Sequence, residues 1–167
     1  QLNAAGYATQ VVPVKSASEN GTINLDFTMI ARGQSQTFPA SSGTNITISG
    51  DDGAAVTVSP NSFVDSNGAL VSGEIQLTIT SVDVSNPATL AAFPGEFSGI
   101  QSDGSQTPII SLGTVEYKFT KDGEELQLDI ANGATADILI PIYSNTLPDG
   151  TPISVGDSIP LWSLTEA

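Results

Sequence analysis

The chain has 167 residues, with 4 basic and 18 acidic side chains and a formal net charge of −14. A surface this negative repels phosphate backbones, which are bound by basic stripes that release counterions, so nucleic acid is excluded as a partner. With neither Cys nor His, the chain has no disulfide framework, no thiol chemistry, and neither the usual neutral-pH base nor the commonest zinc ligand.

Strand signals run along the whole length. Residues 10–14 (QVVPV) are short and apolar, and Pro13 confines them to an edge or a strand end. Asn20-Gly21 is a hairpin turn signal. Residues 22–30 then alternate, with Ile23, Leu25, Phe27 and Met29 on one face. Residues 32–44 (RGQSQTFPASSGT) read as a linker, which divides the chain into an N-terminal strand pair (1–31) and a larger domain (45–167). In that domain Ile46 and Ile48 mark a short strand, and residues 54–58 mark another. Asp65-Ser66-Asn67-Gly68 is a tight turn, and residues 74–82 put Ile75, Leu77 and Ile79 on one face.

Residues 85–98 lack sheet alternation and accommodate one helical turn at 87–92, with Phe93, Pro94 and Phe97 placed to staple it to the sheet. The whole of 85–107 is long enough to serve as a binding loop. Further strands are expected at 109–112, 114–119, 125–130, 136–142 and 158–164, with turns at 121–123 and 132–133. Trp162 in the last of these is expected to pack inward as a core anchor. Short strands with Gly, Asn and Pro punctuation and no helical period give an all-β antiparallel sandwich. No run reaches the roughly 18 apolar residues of a membrane span, so membrane insertion is not expected.

Five blocks in this order resemble a family of extracellular β-domains. They are GAAVTVSPNSFVDSNGALVSGEIQLTITSVDVS (53–85), LAAFPGEFS (90–98), PIISLGTVEYKF (108–119), ATADILIPI (134–142) and IPLW (159–162). The family includes cartilage intermediate layer protein, the FAM171 membrane proteins and many secreted bacterial proteins. It is distantly similar to ZU5 domains. Residues 1–31 resemble the last strands of a carboxypeptidase-regulatory-like, transthyretin-like unit. The resemblance implies an Ig-like or ZU5-like sandwich that is structural or adhesive rather than catalytic, in an extracellular or cell-surface protein. A composition rich in Ser, Thr, Asn and Gly with few Lys points separately to an exported bacterial or marine protein. Some ZU5-type relatives cleave themselves at a His-Phe-Ser step. The matching strand here, Ile110-Ser111-Leu112-Gly113-Thr114, has no His, so that activity is not implied.

The candidate ligand sites are acidic turns. Asp65 and Asn67 open like a calcium loop, but position 76 is Gln where such a loop carries its bidentate Glu. The plainer reading is a turn whose Asp caps its own backbone. Asp51-Asp52-Gly53 pairs two carboxylates that a cation would relieve, or that simply face water. The other carboxylates cannot be paired into a glycosidase centre from sequence. No phosphate loop is present. The expected function is a spacer and interaction surface engaging neighbouring domains, other copies of the chain, a surface protein or a glycan. Two alternatives remain: a filament subunit assembled by strand addition, and a calcium- or carbohydrate-binding module.

Overall fold

The structure is a computed structural model and describes residues 4–8, 28–91 and 98–162. Eleven strands make antiparallel sheets: β1 (Ser35–Pro39), β2 (Ile46–Ser49), β3 (Ala55–Val58), β4 (Phe63–Val64), β5 (Glu74–Val82), β6 (Ser98–Ile100), β7 (Gln106–Pro108), β8 (Thr114–Lys121), β9 (Glu124–Glu125), β10 (Gln127–Leu128) and β11 (Ala136–Leu139). One short helix, α1 (Pro87–Ala91), follows β5.

β5 is the central strand, and its alternation explains why. Ile75, Leu77 and Ile79 are all buried on one face, and Thr78 and Thr80 are buried on the other, as befits a strand with neighbours on both sides. It pairs β1 on one side and β8 on the other, and the sheet order is β1-β5-β8-β9. Register places Leu77 opposite Phe119 and Ile79 opposite Tyr117, so the inward face continues across the ladder. The second layer is β11-β3-β2, with Val56 and Val58 of β3 and Ile48 of β2 turned inward. Two smaller pairs, β4 with β10 and β6 with β7, complete the architecture. This is an all-β antiparallel sandwich.

Three aromatic rings fill its centre. Phe63 lies 4.7 Å from Phe119 and 6.2 Å from Phe38, centroid to centroid, the latter edge-to-face. Tyr117 bolts the layers together: from β8 its hydroxyl reaches the carbonyl oxygens of Ala55 (3.0 Å) and Leu139 (2.7 Å) on the opposite sheet. Gln36 closes the near edge through Nε2 to the Ser49 carbonyl, 2.6 Å away. At the far seam the Tyr143 N–H donates to the Leu112 carbonyl at 2.9 Å. A Cβ on the neighbouring Gly113 would fall on the carbonyl oxygen of Pro141, so only glycine permits this approach.

Several expectations change. Ser35–Pro39, inside the segment read as a linker, is a strand paired with β5, and Phe38 belongs to the core. Residues 125–130 are not one strand. Leu126 points inward, but Asp129 then caps a 3-10 turn at Ile130–Asn132, which leaves Ile130 exposed. β11 stops at Leu139, two residues before Pro141, which has no N–H to give a ladder. Residues 109–112 and 158–162 run as irregular chain. Of the N-terminal strand pair, residues 6–8 and 30–32 meet antiparallel, through Ala8 N–H to Ile30 O (2.8 Å) and Arg32 N–H to Gly6 O (2.9 Å). The calls on 10–14, the Asn20-Gly21 turn, residues 22–27 and the Phe93, Pro94 and Phe97 staple lie outside the described residues.

Candidate functional site

The acidic turns are built from their own hydrogen bonds. Asp65 Oδ1 accepts the N–H groups of Asn67 (2.8 Å) and Ala69 (2.9 Å). These two bonds hold its carboxyl below the usual Asp value. Asp103 does the same with the N–H and hydroxyl of Ser105 (2.9 and 2.6 Å), and Asp149 with the Thr151 N–H (2.9 Å). Both carboxyls are likewise lowered, by the Ser105 and Thr151 bonds respectively. Each is the self-capping turn in which an aspartate replaces a backbone acceptor.

The four calcium candidates are not brought together. Asp65 and Asn67 sit in the turn that leads towards the start of β5. Asp51 and Asp52 lie at its other end, where the Ser81 hydroxyl contacts the Asp51 carbonyl. Asp52, with φ 56°, accepts the Tyr143 hydroxyl at Oδ2, 3.0 Å away. Burial first, then Asp52, pushes the Tyr143 hydroxyl up to about 12. Among the described residues no three of His, Cys, Asp and Glu are grouped to hold a metal ion.

The feature that sequence reasoning missed is apolar. β6 and β7 form a hairpin within the 85–107 region, and together with 109–112 and the C-terminal segment they enclose an open groove of about 610 Å³. Ile100, Thr107, Ile110, Leu112, Ile159 and Trp162 line it, and among the described residues no charged side chain does. Ile100 is 76% exposed, Ile110 58% and Trp162 42%. The expected inward role of Trp162 is therefore corrected: its ring lies over Gly99 of β6, where any Cβ would strike it. The ring packs outside the sandwich core because the last segment runs across the β6–β7 hairpin instead of entering a sheet. The glycine at 99 was the available signal, since a residue without a Cβ in a strand marks close approach by another group.

Leu139, Ile142 and Leu161 are also exposed. Tyr143 bonded to Leu112 ties the 141–143 segment to the groove wall. No helix of the described residues is long and apolar enough to cross a membrane. No family model, curated protein or solved structure matches the chain.

Proposed function

We propose that the chain is a non-catalytic structural and adhesive module of an extracellular or cell-surface protein. It spaces its neighbours as a rigid sandwich and engages a partner through the groove end. The observation that carries this is the concentration of exposed apolar side chains around one open groove, on a chain whose net charge is −14. Exposed apolar surface that is contiguous marks an interaction site, because water solvates it poorly. The resemblance of the five sequence blocks to extracellular β-domains supports the same reading. So do the aspartates at the turns, whose carboxylates stabilise corners rather than converge on a reacting centre.

A second reading, a filament subunit that grows by strand addition, is favoured by β11. It ends its sheet, with Leu139 63% exposed and no lysine to blunt the edge.

Size-exclusion chromatography with light scattering and negative-stain imaging of native material tests the proposal, run beside turnover assays on ester and glycoside panels. A stable complex without turnover is expected, and a fibre would select the second reading. A single-chain species that turns over a substrate overturns both.

A further inference from the structure

Resting on that reading, we propose that the occupant of the groove is an extended segment of a partner protein in which apolar side chains alternate with Lys or Arg.

The floor of the groove requires the apolar half. Ile100, Ile110, Ile159 and Trp162 offer side chains but no charge, and Thr107 and Gln101 add only neutral polar groups. Burial there is worth about 25 cal/mol per Å² of apolar surface removed from water, so the floor rewards aliphatic side chains.

The acidic residues next in sequence to its lining call for the basic half. Asp103 follows the lining residue Ser102, Asp149 lies two residues beyond Leu147, and Asp157 two residues before Ile159. Each is fixed by its turn. Asp103 is held by Ser105, Asp149 by Thr151, and Asp157 Oδ2 takes the Ser154 N–H at 2.8 Å. Immobilised carboxylates one or two residues along the chain from the lining of an apolar strip favour cations in whatever lies along it. Two of the three described cations are engaged elsewhere: Lys118 pairs with Glu125 at 2.9 Å, and Lys121 reaches the Ser72 carbonyl. Arg32 is exposed beside Gly33, which packs on β5. None of them lines the groove.

The same charge argues against a second copy as occupant. Two chains of −14 repel.

The chain has one tryptophan, and it lies in the groove, so its emission reports occupancy directly. The probe is a synthetic decapeptide alternating Val and Lys. Its controls are a Ser-Lys decapeptide of equal charge, the Ile110→Asp variant, a panel of neutral oligosaccharides and a dilution series of the protein alone. Ile110 is exposed, so the variant keeps the fold, which circular dichroism checks.

The expected result is a saturable blue shift with Val-Lys that weakens as salt is raised, and binding at least about tenfold weaker with Ser-Lys or with Ile110→Asp. The variant is decisive because it adds a negative charge. Diffuse attraction would leave its affinity for the cationic peptide unchanged or stronger, and that result overturns the proposal. No shift with Val-Lys overturns it as well. A shift produced by the oligosaccharides instead assigns the groove to glycans. A shift that grows with protein concentration alone assigns it to a second copy. Any of these defeats the basic segment while leaving the interaction module standing, because that reading falls only on monomeric native material with turnover.

Discussion

Replacing Gly113 with Ala tests how the sandwich is closed. The added methyl falls on the Pro141 carbonyl oxygen, and the obstacle is backbone, which cannot rotate away as a side chain would. Overpacking of this kind costs about 1–3 kcal/mol. Separating the two segments also weakens the Tyr143 N–H to Leu112 bond, worth about 0.5–1.5 kcal/mol. The alanine narrows the unfolded ensemble, which returns about 0.4–1 kcal/mol. The net is a destabilisation of about 0.5–4 kcal/mol.

Gly43 is the matched control, exposed and with nothing within 4 Å of an added Cβ. There the same substitution is expected to be neutral or slightly stabilising. Urea unfolding followed by far-ultraviolet circular dichroism measures both. With a slope of about 2 kcal/mol/M, Gly113→Ala lowers the midpoint by roughly 0.25–2 M while Gly43→Ala leaves it level or raises it. Equal midpoints for the two variants would refute the claim that residues 112–113 and 141–143 form a tight seam.

Phe63→Ala empties the centre of the three-ring cluster and is expected to cost about 3–5 kcal/mol, read from the same unfolding curves. Phenolate absorbance should place Tyr143 near 12. Asp52→Asn should bring that midpoint down but leave it above 10, because burial is the larger cause. A phenol whose folded pKa is raised contributes stability that is complete below its unfolded value of 10 and is lost as pH climbs through 12. For Asp65, Asp103 and Asp149 the sign is opposite. Their folded pKa values are depressed, so their contribution is present above 3.8 and fades as pH falls through the lowered value, and carboxyl carbon NMR titrations should show midpoints below 3.8. Calcium should leave the melting temperature unchanged, since the Asp65 turn already uses Oδ1 and the four candidate residues do not converge. A rise with added calcium would restore the turn as a site.

Strands with several inward residues were legible in the sequence. β5 carries Ile75, Leu77 and Ile79 at perfect alternation, and β3 and the Asp65 turn follow equally local rules. β1 was hidden because an edge strand needs only one inward side chain, Phe38, amid Ser, Gln and Thr. The 125–130 run misled because its alternation is continuous while its pairing is split, Glu125 pairing with β8 and Gln127–Leu128 with β4. Leu126 is inward and Ile130 outward, and only the tertiary position of Asp129 decides where the strand stops. The groove was illegible for a related reason. Whether Ile110 and Trp162 face the core or water depends on how the last segment crosses β6 and β7, which no local pattern encodes.

The aspartate-capped corners also set an order of events in folding. They close over two to four residues, whereas β1 meets β5 across 43 residues (Ser35 to Thr78), Tyr117 reaches Ala55 across 62, and Tyr143 reaches Asp52 across 91. Closing a loop costs more as it lengthens, so corners form early and the layers are bolted late. During synthesis Phe38 and Ile48 therefore emerge well before the β8 side chains that will cover them. In that interval the acidic residues spread along the chain keep neighbouring unfinished copies apart.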